Sequence, residues 1–324
     1  MSGYLDLAQF RDEVGRTIHA PVDELAFTQN ATMAMNFVAN GLDLAGGDEI
    51  LTTDQEHIGG INPWLLREKR HGAVVRQLPL TSTLGRGPDA VMELFESAMT
   101  PRTRMVMFSH ITSVLGIKLP PKGLCAMARA HGALSVVDGA QAVGQIPVDV
   151  KDLGCDAYIA STHKWLVAPK GTGLLYVQRA AQEKIWTTLA SESFDDRPTG
   201  AFRFMHFGTG SMPVVHGLIA AVRFMNRLDI PRVGKWDAML TSRLREGLAR
   251  MPHVQVASPA HPALTSAMTT FGVRGRSSGE LQDELWKHRI RVRAEGDAGV
   301  RLSAHFYVAP ADIDRVLEIV GGMR

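Results

Sequence analysis

Short apolar runs recur along the first two thirds of this chain, each ending in a polar or small residue. Residues 49–53, 73–75, 104–108, 134–137, 156–161 and 171–177 read as buried strands on this pattern. Stretches of helical spacing lie between them. One spans 4–19, with Leu5, Phe10 and Val14 on its apolar side. A second runs over 31–40, with Asn30 as N-cap and Gly41 as its end. Others cover 60–70 with Pro63 in the first turn, 89–98, and 121–131 closed by Gly132. Strands alternating with helices predict βαβ units around a parallel sheet, an α/β fold. The polar stretch 191–203, with Pro198 and Gly200, reads as a loop. From residue 213 the pattern changes. Long helices over 214–228 and 233–250 precede a mixed region with strand-like runs at 254–256 and 268–273, helices at 279–288 and 311–321, and a Gly-rich loop between 290–293 and 300–307. This predicts a large domain over 1–212 and a small α+β domain over 213–324, as a length of 324 residues allows.

Composition narrows the partners. The chain is 45% hydrophobic and 21% charged, an ordinary balance for a soluble globular protein. Formal net charge is +2, with no block of like charges, which argues against a nucleic-acid partner. Cys125 and Cys155 make neither a disulfide framework nor a metal-ligand spacing, so no metal is expected. The first residues lack the basic and apolar regions of a signal peptide, and no apolar run reaches the ~18 residues of a membrane span. A cytoplasmic enzyme without membrane contact is the expectation.

The candidate chemistry sits at two strand ends. Tyr158-Ile159-Ala160 leads into Ser161-Thr162-His163-Lys164-Trp165-Leu166-Val167-Ala168-Pro169-Lys170-Gly171-Thr172-Gly173. A lysine at the end of an apolar strand is partly buried, which lowers its pKa and frees its lone pair for a Schiff base. Upstream, Val136-Val137-Asp138-Gly139-Ala140-Gln141 ends another strand in an acid. An acid and a lysine on neighbouring strand ends suit pyridoxal phosphate (PLP). The acid pairs with the pyridinium nitrogen and the lysine with the aldehyde carbon. Asn30-Ala31-Thr32 opens a helix whose free N–H groups can hold a phosphate. No G-x-G-x-x-G follows an early strand and no G-x-x-x-x-G-K-[ST] occurs, so a nucleotide-binding oxidoreductase is a poor rival.

Asp-x-x-Gln followed by Ser-x-His-Lys at this separation resembles the class V aminotransferase family of fold-type I PLP enzymes. That family holds cysteine desulfurases, selenocysteine lyases and isopenicillin N epimerase-like enzymes. Trp165 and the run Ala168 to Gly173 are closer to the epimerase-like branch. The resemblance runs from about Phe27 to the C-terminus.

The resemblance implies a mostly parallel seven-stranded sheet in the large domain. It implies that Ala31, Thr32, Ser161 and His163 bind the cofactor's phosphate, and that His57 stacks on its ring and moves protons. Asp138 holds the ring nitrogen, and Gln141, at the start of a helix, donates to the ring's phenolate oxygen. Thr209, in His206-Phe207-Gly208-Thr209-Gly210-Ser211, reaches the partner subunit's cofactor in a homodimer. Arg301 clamps the carboxylate of an amino acid substrate, with Arg293 second. Ser113 stands where relatives often place a cofactor-touching Asn. Relatives also carry residues before this chain's start that close over the substrate. Here that wall is expected to be open or supplied differently. Lys164 takes the α-proton, after which epimerase, lyase and aminotransferase chemistry diverge. Ile58-Gly59-Gly60 suggests room for a larger substrate. The 294–300 interval is short and lacks a cysteine, so persulfide-forming desulfuration is not expected; C–S elimination without a protein thiol is the alternative. An alternative of another class is a PLP-binding regulatory protein without catalysis.

Overall fold

A seven-stranded sheet carries the molecule. The computed structural model describes residues 7–191, 194, 197–208 and 210–323. The strands are β1 (Leu25–Thr28), β2 (Glu49–Thr53), β3 (Val74–Leu78), β4 (Thr103–Ser109), β5 (Leu134–Asp138), β6 (Ala157–Ala160) and β7 (Gly173–Val177), in the order β1-β7-β6-β5-β4-β2-β3. Neighbours from β6 to β3 are parallel, and β7 alone runs against the rest. The inner strands are buried on both faces, which explains their continuous apolar runs. The expected seven-stranded, mostly parallel sheet is therefore present.

Helices cover the sheet: α1 (Ala8–Gly15), α2 (Ala31–Gly41), α3 (Ile58–His71), α4 (Pro88–Ala98), α5 (Pro121–Ala130), α6 (Val150–Leu153) and α7 (Arg179–Gln182). Asn30 caps α2 by accepting from Met33 N–H. Helix α3 begins earlier than its pattern suggested. His57 is its N-cap, accepting from Gly59 N–H, so Pro63 lies inside the helix rather than in its first turn. Gln141 does not open a helix; it lies in a tight run of turns. The stretch expected as a loop contains 3-10 turns within Arg197–Met205, broken by a kink at Gly200 (φ 68°). Its buried Arg203 donates to the carbonyls of Gln182 and Ile185.

Beyond it, α8 (Met212–Leu228) and α9 (Ile230–Ala249) lead to a four-stranded antiparallel sheet with α10 (Ser278–Lys287) and α11 (Pro310–Gly321). Its strands β8 (Val254–Val256), β9 (Met268–Val273), β10 (Arg293–Ala294) and β11 (Val300–Ser303) lie in the order β10-β11-β9-β8. Two hydrophobic clusters share α9. Ile230 and Val233 join the core of the large sheet; Leu240, Leu244 and Leu248 join a second core with Phe271, Leu285 and Val320. Between them on α9, Asp237 is 1% exposed, and neither carboxylate oxygen has a hydrogen-bond partner among the described residues. Burial pushes its carboxyl up to about 7.

Candidate active site

The lysine loop leaves β6 and turns sharply. Lys164 N–H donates to Ser161 O at 3.4 Å, Val167 N–H to Lys164 O at 3.2 Å, and Ala168 N–H to Thr162 O at 3.1 Å. Thr162 Oγ1 donates to Thr172 Oγ1 at 2.6 Å, which donates to Pro169 O at 2.7 Å. Closing this turn puts Val167 at φ 54°, a left-handed conformation that is strained for a β-branched residue. Gly144, at φ 93°, lies directly against the backbone of Trp165 and Leu166, where a Cβ would not fit. The loop is thus pinned from both sides.

Lys164 points into a cavity of about 310 Å³ lined by Asn30, Thr32, His57, Asp138, Ser161 and His163, among others. Ala31, Gly59, Ser113 and Gln141 also line it. Lys164 Nζ has no hydrogen bond or ion pair among the described residues. Burial holds its pKa below the usual lysine value, opposed by the charge of Asp138. Asp138 ends β5, paired in register with Ser109 of β4 and Ile159 of β6. Its Oδ1 accepts from Ala140 N–H at 2.9 Å, while Oδ2 is without a partner among the described residues. A Cβ added to Gly60 would lie 3.3 Å from that Oδ2, so the absent side chain keeps the oxygen approachable.

Two helix N-termini converge on this cavity, those of α2 and α3. A Cβ at Gly59 would collide with Thr32 Oγ1, so the two ends touch. Ala31 N–H donates to Ser161 Oγ at 2.9 Å and is not free, a correction to the expected pair of open amides; Thr32 N–H has no partner among the described residues. His163 Nδ1 lies 3.2 Å from Thr172 O, so Nδ1 carries the proton and Nε2 is left for the cavity. His57 is the reverse. Its Nδ1 accepts from Gly59 N–H at 3.0 Å, which places its proton on Nε2. Burial and then the Lys164 charge hold His57 below the usual histidine range. Gln141 Oε1 accepts from Trp165 Nε1 at 2.8 Å, leaving its NH₂ end to donate.

Directly before His57 in the chain stands Glu56, a residue the sequence reading passed over. Its carboxylate accepts from Ser109 Oγ at 2.6 Å, Thr53 Oγ1 at 2.7 Å and Ser109 N–H at 3.2 Å, and burial raises it to about 7. The position directly before the candidate histidine at a strand end was the available signal.

The arginines stand apart from this group. Neither Arg293 nor Arg301 lines the cavity. They are Cα partners across the β10–β11 ribbon. Arg301 Nη1 donates to the Ser113 carbonyl and lies 2.9 Å from Glu295 Oε1. Their charges nonetheless reach Lys164 and His57, lowering both pKa values. Thr209 lies outside the described residues. Its neighbours Phe207, Gly208 and Gly210 line a separate apolar groove of about 290 Å³, with Phe27, Met212 and Leu218.

The family model described as aminotransferase class-V matches residues 4–316. An isopenicillin N epimerase of Amycolatopsis lactamdurans is 35% identical over 95% of this chain and 82% of its own length. A cysteine desulfurase of Salmonella agona is 34% identical over 93% of this chain and 75% of its own length. Among solved structures, the cystine C–S lyase C-DES with its product cysteine persulfide superposes with a TM-score of 0.87 at 27% identity, covering 98% of this chain and 86% of that one. A variant of C-DES with glycine covalently linked to its PLP cofactor matches with a TM-score of 0.87 at 26% identity, covering 98% and 85%.

Proposed function

This chain belongs to the class V aminotransferase family and is a PLP-dependent enzyme, and from that premise we propose that Lys164 carries the cofactor and moves the α-proton of an amino acid substrate. One observation carries the reading: a lysine and a carboxylate oxygen, both without a partner among the described residues, line the same cavity. The residues present fit the cofactor. Oδ2 of Asp138 would hold the proton on the ring nitrogen. Thr32 N–H, Ser161 and His163 would hold the phosphate beside the α2 N-terminus, with Ala31 contributing through its bond to Ser161. Bound there, PLP supplies an electron sink for the bond broken at the substrate's α-carbon.

The remaining work belongs to the chain. Lys164, its basicity lowered by burial, accepts the α-proton at Nζ and can return it. His57, on the cavity wall, would stack on the ring. With Nδ1 tied to Gly59, it can give a proton from Nε2 but cannot take one at Nδ1 without breaking the cap of α3. Gln141 would donate its NH₂ to the ring oxygen, and Arg301, or Arg293 as the second candidate, would meet the substrate carboxylate.

Proton removal at the α-carbon begins racemisation, transamination and C–S elimination alike. The thiols narrow the choice. Cys125 and Cys155 are buried, and burial pushes the Cys125 thiol up to about 12 and the Cys155 thiol well above its usual value, so neither is a thiolate. The turn between β10 and β11 carries no cysteine. This supports epimerisation or direct elimination over persulfide formation on the protein. The reading includes a homodimer in which the 206–211 turn faces the partner, supported by the apolar groove beside it, and a cytoplasmic location, which cell fractionation reads. No helix among the described residues is long and apolar enough to cross a membrane.

The test is borohydride reduction of the PLP-loaded protein. The wild type should trap the cofactor covalently; Lys164→Ala should trap none while keeping its fold by circular dichroism. A trapped adduct in the variant would refute the assignment. An amino-acid panel read for D-isomer, keto acid and sulfide then separates the three chemistries.

A further inference from the structure

The β10–β11 ribbon brings Arg293 and Arg301 face to face, and the turn between them returns a carboxylate onto both. Glu295 N–H donates to Gly299 O at 2.8 Å, Ala298 N–H to Glu295 O at 3.2 Å, and Gly299 N–H to Gly296 O at 3.1 Å. Gly296 and Gly299 take φ values of 57° and 97°, and a Cβ at Gly299 would collide with Phe271 O. The turn therefore has one shape, and it aims Glu295 back along the ribbon. A single oxygen, Glu295 Oε1, lies 2.9 Å from Arg301 Nη1 and 3.4 Å from Arg293 Nε. The Glu295 and Arg301 side chains are only 9% and 13% exposed, so this pair is poorly screened by solvent.

The pair is close but badly aligned. Glu295 Oε1 accepts no well-directed hydrogen bond, and Arg301 Nε is buried without a partner among the described residues. Arg301 Nη1 is meanwhile fastened to the carbonyl of Ser113, on the cavity wall. A guanidinium so placed has its bidentate capacity unused. A small carboxylate free to orient can make two parallel bonds where Glu295 makes one skewed contact.

We propose that Glu295 is a resident occupant of the Arg301 fork, so that a carboxylate ligand binds by displacing an in-chain carboxylate. This rests on the reading that Arg301 meets the substrate carboxylate. The exchange keeps the charge balance at the fork. It also sets a selectivity: monodentate or poorly oriented anions do not outcompete Glu295, whereas a carboxylate held for bidentate contact does. Glu295 thereby acts as a specificity-determining residue without touching the cofactor.

The experiment titrates propionate, a carboxylate without an amine, into the PLP-loaded protein by calorimetry. Glu295→Gln should bind propionate more tightly, by about fivefold, which is about 1 kcal/mol of lost competition. Glu295→Asp, which keeps the charge but withdraws it by one methylene, should fall between that variant and the wild type. Unchanged or weaker propionate binding in Glu295→Gln overturns the proposal, weaker binding meaning that Glu295 orients Arg301 for its ligand. Arg301→Gln separates the two readings. If it leaves propionate binding intact, Arg301 is not the carboxylate site and the underlying reading fails first. The cofactor's absorbance, recorded in each variant, distinguishes either failure from loss of PLP.

Discussion

Asp237 offers a prediction whose size follows from burial alone. Its carboxyl is 1% exposed, lacks a hydrogen-bond partner among the described residues, and titrates at about 7 against an ordinary 3.8. The folded pKa is raised, so the folded state binds the proton more tightly than the unfolded chain. The stabilising protonated form is fully present below pH 3.8 and is lost as pH rises through about 7. With about 1.4 kcal/mol per pH unit of separation, the wild type should lose roughly 3 kcal/mol from this group between pH 5 and pH 8. Asp237→Asn keeps the volume and removes the titration. Any cost of burying the amide is the same at both pH values. The assay is thermal unfolding of both proteins at pH 5 and pH 8. In a chain of 324 residues about 1.5 °C accompanies each kcal/mol, so the variant should gain roughly 4–5 °C on the wild type across that window. Parallel pH profiles, or a wild type that gains on the variant as pH rises, would show that Asp237 is solvated or paired and refute the reasoning.

The double variant Cys125→Ser, Cys155→Ser should keep its PLP and the wild-type activity, since neither thiol reaches the cavity; loss of turnover with cofactor still bound would restore a thiol mechanism. Sedimentation of the PLP-loaded protein should give a dimer at micromolar concentration, and a monomer there would remove the partner from the proposed site.

The sequence made the central sheet legible because strands buried on both faces write themselves as unbroken apolar runs. Asn30, Asp138 and Lys164 were legible because each stands where a strand or helix ends. Other features left weaker traces. Strand β1 is four residues long and merges into the polar Gln29, so it went unread. The 3-10 segment around Arg203 looked polar because its arginine is buried through bonds to distant carbonyls, which no local pattern records. Histidine is an unusual N-cap, so α3 was started late. Gln141 was assigned to a helix, whereas it lies in a run of turns and its side chain is fixed by Trp165, twenty-four positions on. The contact of Glu295 with Arg301 depends on a turn shape that two glycines permit but do not announce.

The left-handed Val167 has a consequence for anyone altering this protein. A residue there that accepts positive φ, such as glycine or asparagine, relieves on the order of 1 kcal/mol of backbone strain. A search for heat-resistant variants would therefore be drawn to this position. Glycine would also give the loop freedom it now lacks, and the amine three residues earlier would sample more orientations. Heat tolerance and catalytic aim are set against each other at one side chain, and a screen that scores only the first would erode the second unnoticed.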